Sequence, residues 1–410
     1  MKQSRRTRYS VTNREYWVHQ AQHAARWARD LLARVPSSRL RPFWLALHRG
    51  LALSVGVLFV VMGLTGSLNV FHNELDRWLN PRLTVSESGA RYRSADELLA
   101  AVQAAHPRRF GSWTLVMPER PDGVVTAWFE KPAETYDEFY APLMVSVNPY
   151  TAEVVASRFW GDTVMTWILK LHEELFMGRF GRTVVGCVAA LLLVSLATGL
   201  TLWWPGRGRV RQSLRITLPP AHSSRLLFEI HRAAGVYGAL ILFMVALSGL
   251  HLVFPEWLES AFKSSSAMGD IHDRLDVKSE AIPNSNPVSL GAALLIARGL
   301  FPKSPVQRLI TPDTSTGSHQ IWFGTPGQAS AAGTAAIVCV DQFSGHILHV
   351  ERVTPRPAGD AFLNFIRALH TGQVLGTPGR LLWSLAGWVP LVLYVTGIRR
   401  RRLRRASQRL

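Results

Sequence analysis

Cysteine is nearly absent: Cys187 and Cys339 are the only two in 410 residues. One sits inside an apolar run and the other in a strand-like run, so no disulfide framework and no cysteine-based metal site is expected. Acidic residues are scarce beside basic ones, 28 Asp+Glu against 46 Lys+Arg, for a net charge of +18. Charge of either sign is missing from four stretches, 50–71, 183–206, 233–255 and 381–398, of 22, 24, 23 and 18 residues. At about 1.5 Å of rise per residue each can cross a hydrocarbon core of roughly 30 Å, the last with little to spare. No Gly-x-Gly-x-x-Gly follows a strand-like run, and the 85 residues that make up the basic tails and middle loop leave no space for a flavin or nicotinamide fold.

The basic excess is confined. Residues 1–47, 205–230 and 399–410 hold 22 Lys+Arg and 3 Asp+Glu, while the remaining 325 hold 24 and 25. A chain this basic invites a nucleic-acid reading. Positive charge packed beside spans instead anchors topology and meets anionic lipid, which makes the bilayer a partner and excludes nucleic acid. The expectation is an α-helical membrane protein with four transmembrane helices at 48–72, 181–206, 231–255 and 380–398. The basic N-terminal extension 1–47, the loop 207–230 and the basic tail 399–410 are then cytoplasmic, and the connections 73–180 and 256–379 lie outside. Within the extension, 13–34 reads as a basic amphipathic helix on the inner membrane surface, with His19 and His23 as surface residues. The arginines of SRRTRY have no apolar stretch behind them before the first span, so a cleaved twin-arginine leader is not expected.

The chain repeats itself. His48-Arg49 and His231-Arg232 each open an apolar stretch, and each histidine is followed 18 residues later by the glycine of a Leu-Thr/Ser-Gly triplet, Gly66 or Gly249. The approaches to the second and fourth spans, LHEELFMGRFGR and LHTGQVLGTPGR, share Leu-His and Gly-x-x-Gly-Arg. His172 and Arg182 are ten residues apart, as are His370 and Arg380, and a Thr-Gly, ending at Gly199 or Gly397, closes each span 27 residues after its histidine. Between them, VSVNPYTAEVV matches VCVDQFSGHIL, each a β-run broken by an Asn/Asp turn. Ser94 and Glu97 make a capping box before one helix-like stretch, and NPVSLGAALLIARGLFP is its counterpart. Segments 256–287 and 324–334, rich in Ser, Gly, Ala and Pro, read as loops. The predicted fold is therefore two parallel repeats of span, outer α+β module, span.

The repeated histidines carry the chemistry. Beyond His48, Ala52 and Gly56 follow at helical spacing; beyond His231, Gly235 and Ala239 do. Close helix packing explains the small residues alone, and headgroup solvation explains a lone histidine. Neither explains a titratable ring at the same place twice, followed each time by arginine. A haem explains all three features: two imidazoles from symmetry-related helices ligate iron, small residues make room for a flat macrocycle, and Arg49 and Arg232 pair with propionates. His172 and His370 form a second pair, with Arg182 and Arg380 as its arginines, on short helices that fold back onto the bundle; capping or surface histidines are the alternative. Eighteen residues of helix put the two levels roughly 27 Å apart, so two haem b groups make a relay where one would strand electrons. His251, whose counterpart is Leu68, could replace an outer ligand, line a substrate pocket or simply pack. His72 aligns with Pro255 as a boundary residue, and His106, His222, His272, His319, His346 and His349 show no ligand spacing.

From about Trp44 to Arg402 the chain resembles the PepSY-associated transmembrane (PepSY-TM) proteins, through LHRG…LTGSL, LH…GRFGR, HRAAGVYG and LHTGQVLGTPGR. The resemblance implies outer modules of PepSY type and a role in bacterial iron uptake. It also implies a likeness to inner-membrane ferric-siderophore reductases carrying two b-type haems, which release Fe(II) from a periplasmic ferric siderophore. The electron donor would be a separate cytoplasmic reductase or a membrane quinol, and a homodimer is compatible with this reading. Trp113, Trp128, Tyr136, Tyr140, Trp160 and Trp322 could line a pocket for a bulky chelate, with a core role favoured for each singly. Two other readings stand: a non-enzymatic PepSY membrane protein that binds peptides or restrains a protease, and a siderophore transporter. The transporter lacks an intramembrane acid to couple ions.

Overall fold

A computed structural model describes residues 37–85, 91–217, 224–256, 275–280, 282, 286–325, 334–352 and 358–407. The expected surface helix at 13–34, with His19 and His23, lies outside the described residues, as do His222, His272 and most of the two expected loops.

The chain is largely helical, and three of its helical stretches are long and apolar enough to cross a membrane. They are Gly178–Trp203, Ser224–Val253 and Gln373–Ala406; the pair Leu40–Ser54 and Gly56–Asn69, bent by 62° at Val55, counts as a fourth if taken as one span. In chain order the helices are α1 (Ser37–Ser54), α2 (Gly56–Asn69), α3 (His72–Leu79), α4 (Ala95–Ala105), α5 (Val164–Glu174), α6 (Gly178–Trp203) and α7 (Ser224–Val253). They continue with α8 (Leu290–Leu300), α9 (Ala358–His370), α10 (Gly376–Ala386) and α11 (Val389–Ser407). Ser54 turns its hydroxyl back onto the Gly50 carbonyl at 2.9 Å, a bond that bends helices, directly before the break at Val55. Leu240, Phe243 and Leu247 on α7 and Leu385 on α10 stay exposed on the outside of the bundle, where lipid covers them.

Short helices α5 and α9 lead into α6 and α10 through the Gly-x-x-Gly-Arg motif. The first glycine of each copy, Gly178 or Gly376, has φ of +56° or +62°, which only glycine adopts without strain. The second lies too close to backbone for any side chain: a Cβ on Gly181 would sit 1.7 Å from the Glu174 carbonyl oxygen, and one on Gly379 2.3 Å from that of Gly372. The motif is thus a tight reversal that lays each histidine-bearing helix against the bundle.

The bent pair meets the last span backbone to backbone. A Cβ on Gly63 would come within 2.4 Å of the Gly387 carbonyl oxygen, and one on Gly387 within 2.5 Å of that of Gly63. One turn on, Ser67 donates to the Ser384 carbonyl at 2.6 Å and Ser384 donates to the Ser67 carbonyl at 3.0 Å.

Outside the bundle lies one eight-stranded antiparallel sheet. Its strands are β1 (Thr114–Val116), β2 (Val125–Phe129), β3 (Leu143–Val147), β4 (Val154–Phe159), β5 (Val306–Ile310), β6 (Ser318–Gly324), β7 (Thr334–Asp341) and β8 (Ile347–Arg352), in the order β4-β3-β2-β1-β5-β6-β7-β8. The segments read as two modules therefore share a sheet, joined where β1 pairs β5 with Leu115 opposite Leu309. One face packs on α4 and α8 in a core containing Leu98, Val102, Trp113, Val145, Leu290 and Phe323. The Ser94–Glu97 capping box forms as the sequence implies, and Ser289 caps α8. The matched hairpins turn alike: Asn148 Oδ1 accepts from the Tyr150 amide at 2.9 Å, and Asp341 Oδ1 from that of Phe343 at 2.8 Å.

Gly63→Val would insert a branched side chain where two backbones touch. It is expected to cost about 1–3 kcal/mol or more and to lower the unfolding temperature in detergent. Gly50→Ala, inside α1 with nothing within 4 Å of its Cβ, should not lower that temperature.

Candidate functional site

The four repeated histidines meet in pairs. The ring centroids of His48 and His231 are 6.3 Å apart with an interplanar angle of 87°, and those of His172 and His370 are 6.3 Å apart at 52°. His48 comes from α1 and His231 from α7, while His172 and His370 are at the ends of α5 and α9.

Each ring is seated on a hydroxyl-glycine dipeptide of a neighbouring helix. His48 Nδ1 lies 3.0 Å from Thr198 Oγ1 and 3.2 Å from the Ser195 carbonyl on α6. His231 Nδ1 lies 3.0 Å from both Thr396 Oγ1 and the Leu393 carbonyl on α11. His370 Nδ1 lies 3.0 Å from Ser248 Oγ and 3.1 Å from the Val245 carbonyl on α7. His172 Nδ1 lies 2.9 Å from Thr65 Oγ1 on α2. The following glycine receives the ring edge: a Cβ on Gly66, Gly199, Gly249 or Gly397 would stand 3.0, 3.2, 3.1 or 3.6 Å from the Cε1 of its histidine.

The seats decide the tautomer. Every hydroxyl already spends its one proton on its own helix: Thr65 on Val61 at 2.7 Å, Thr198 on Ser195 at 2.9 Å, Ser248 on Met244 at 2.6 Å and Thr396 on Val392 at 2.6 Å. A hydroxyl so committed, like a carbonyl, can only accept, so Nδ1 must carry the hydrogen. That leaves the Nε2 lone pair on each neutral ring, the form in which imidazole binds a metal. Two such rings can share one metal atom from opposite sides. Among the described residues no three His, Cys, Asp or Glu side chains gather to hold a metal ion.

A cavity of about 890 Å³ surrounds the His48–His231 pair. It is lined by helices of the bent pair and by α6, α7 and α11, and Ala52, Gly56 and Gly235, the small residues of the histidine faces, open onto it. Ala239, the fourth small residue, is buried in α7. The volume is within the roughly 300–1,000 Å³ of small-molecule and cofactor sites.

The arginines divide. Arg49 is exposed and lines the cavity. Arg232 lines it too, but its guanidinium is held by Glu229 Oε2 at 2.7 Å, by the Arg215 carbonyl at 2.8 Å and by the Ser213 carbonyl. At the sheet end, Arg182 donates to the Leu252 carbonyl at 3.1 Å. Arg380 donates to the Val70 carbonyl at 2.8 Å, pairs with Glu74 at 2.7 Å and lies 4.5 Å over the Phe71 ring. Both therefore staple helix ends, a use that spacing alone did not reveal. His251 is buried in α7, two residues beyond the His370 seat.

The aromatics of the sheet also separate. Trp113 is fully buried core, and Tyr136 is 71% exposed. Trp322 lies under the Arg308 guanidinium, 5.5 Å from its ring centre. Trp160 gathers three partners: His72 stacked at 6.3 Å, Trp128 at 5.7 Å and Tyr140 at 5.6 Å. Burial holds the His72 imidazole below its ordinary pKa. Burial, with Glu130 and Glu173 nearby, pushes the Tyr140 phenol up to about 12.

Two measurements check this geometry. Gly199→Val should lift His48 off Thr198, and a structure of the variant should show the centroid separation to His231 increased above 6.3 Å. In an ultraviolet pH titration, Tyr140→Phe should remove one tyrosine from the fraction that ionises near pH 12.

The apolar helices and their lipid-facing surface make this a multi-pass membrane protein in contact with the bilayer. No curated protein matches the chain. A family model described as the PepSY-associated TM region matches residues 45–401, spanning the paired histidines, all four of their seats and the sheet, and the chain belongs to that family.

Proposed function

We propose that the protein is a haem-dependent reductase of the bacterial inner membrane that passes electrons outward to a periplasmic ferric siderophore and releases Fe(II). The bent pair counts as one span in this reading, giving four. The first two spans with β1–β4 form one half and the last two with β5–β8 the other. The basic loop and tails are cytoplasmic and the sheet periplasmic.

The carrying observation is the recurrence, at two levels, of neutral imidazole pairs with centroids 6.3 Å apart. Metal–nitrogen bonds of about 2 Å, with each ring centre roughly 1.2 Å beyond its nitrogen, put the centroids of a bis-imidazole complex about 6.3–6.4 Å apart. Two donors are too few for a protein-bound zinc, which takes three or four. They suit haem b, which brings its own equatorial nitrogens. His48 and His231 would hold one group and His172 and His370 the other, and each group, when bound, supplies one-electron transfer. The chain's own part is to hold four Nε2 lone pairs in place, using Nδ1 as a donor that enriches the ligand. The levels are well separated: along the continuous helix α7, His231 and the His370 seat at Gly249 are 18 residues, or roughly 27 Å, apart.

Reduction of each ferric chelate takes one electron and leaves Fe(II), which a ligand built for Fe(III) holds weakly. The donor would be a cytoplasmic reductase or a membrane quinol at the His48–His231 end. At the other end the Trp160 cluster, on β2, on the chain flanking β3 and β4, and on α3 just beyond the first span, is the surface a bulky chelate would meet.

The test is an absorption spectrum of the detergent-purified protein with pyridine haemochrome quantification. Two haems per chain are expected. One should be lost in His48→Ala or His231→Ala and the other in His172→Ala or His370→Ala. A colourless protein after haem-replete expression would end this reading and favour a non-enzymatic PepSY membrane protein.

A further inference from the structure

The His48–His231 cavity is strongly asymmetric in charge. Its walls beside the rings are apolar, whereas Arg41, Arg49, Arg215, Arg232, Arg400 and Arg404 all reach it, against the single carboxylate of Glu229. That carboxylate faces Arg232, which donates to its Oε2 at 3.1 and 2.7 Å. Arg232 is thereby committed as well, to Glu229 and to two loop carbonyls.

Of the five other arginines, Arg49, Arg400 and Arg404 share one neighbourhood. Arg49 and Arg404 lie close enough to act on the charge of Arg400. Arg400 is held in position by the Phe228 ring, 4.5 Å beneath its Cζ, and its Nε is buried with no hydrogen-bond partner. Among the described residues no carboxylate pairs with Arg49, Arg400 or Arg404. Like charges crowded in a partly desolvated place are costly unless an anion joins them. Their position beside an apolar cavity indicates an anion carried by an otherwise apolar molecule.

We propose that Arg49, Arg400 and Arg404 form a seat for the anionic head of an amphiphile whose apolar body fills the cavity, and that Arg232 is not part of that seat. The inference rests on the haem reading for one source of the anion, the two propionates, and is independent of it for the other, a lipid phosphate. Arginine suits either, because its planar fork gives two parallel hydrogen bonds to an oxyanion. In the haem case the seat fixes which edge of the macrocycle faces the cytoplasmic loop.

The full-length protein, stripped of cofactor in detergent, is titrated with haem and with haem dimethyl ester, whose carboxylates are blocked. Copurifying lipid is measured by native mass spectrometry after exchange into phosphatidylglycerol or phosphatidylcholine. Haem should bind roughly ten- to a hundredfold more tightly than the ester. Arg400→Gln, Arg404→Gln and Arg49→Gln should each narrow that gap, Arg400→Lys should restore part of it, and exposed Arg91→Gln should leave it unchanged. Equal binding of haem and ester, together with retained phosphatidylglycerol that Arg400→Gln loses, would support the seat with lipid as its occupant. If the three glutamine variants alter neither discrimination, the seat does not exist. If the wild-type protein takes up no haem at all, the proposed function fails while the lipid measurement still decides the seat.

Discussion

A hydrogen bond that can run in only one direction governs this bundle. Thr65, Thr198, Ser248 and Thr396 give their protons to carbonyls of their own helices. They can therefore only receive a proton from the imidazole that rests on them. In an ordinary apolar helix such back-bonding merely satisfies a buried hydroxyl. Here it sets four histidines in one tautomer, and the glycine after each hydroxyl makes the close contact possible. A Cβ at Gly66, Gly199 or Gly249 would stand 3.0–3.2 Å from the Cε1 of its ring and press the ring edge away from the seat.

The seats and the pairs are organised differently. His48 sits on α6 and His172 on α2, while His231 sits on α11 and His370 on α7. His48 and His172 are thus positioned by helices between Ser37 and Trp203, and His231 and His370 by helices between Ser224 and Ser407. The pairing, by contrast, crosses between those runs. Orientation is a local matter, settled by neighbouring helices of one half, and separation depends on how closely the halves approach. The sheet ties them a second time, through β1 and β5.

Much of this was legible in the sequence. The paired histidines, the recurrent glycines and the hairpins stood out because the chain states each of them twice, and duplication exposes positions that a single copy would hide. The role of the hydroxyls was not legible, although each directly precedes one of the recurrent glycines, because a Thr or Ser in a span reads as a residue bonding its own helix. The arginines were harder still. Spacing made Arg182, Arg232 and Arg380 look alike, yet Leu252, Glu229 and Val70 claim them through contacts 70, 3 and 310 residues away in the chain. The continuous sheet was also hidden, since its junction depends on β1, three residues long, meeting a strand nearly two hundred residues later. Such a pairing leaves no periodic trace.

Beside the His172–His370 pair the two halves of the chain meet through backbone. Gly63 and Gly387 touch through their carbonyls, and the reciprocal Ser67–Ser384 bonds lock the register one turn away. At the glycine contact no side chain separates the two backbones. Ser67 follows directly on the Thr65–Gly66 seat of His172, so the locked contact and the ring it positions belong to the same turn of helix. The bis-imidazole sites proposed above would tolerate little error, because ligands a few tenths of an ångström too far apart no longer share one metal atom. A backbone-to-backbone junction beside a glycine-backed histidine would supply that precision with few movable parts.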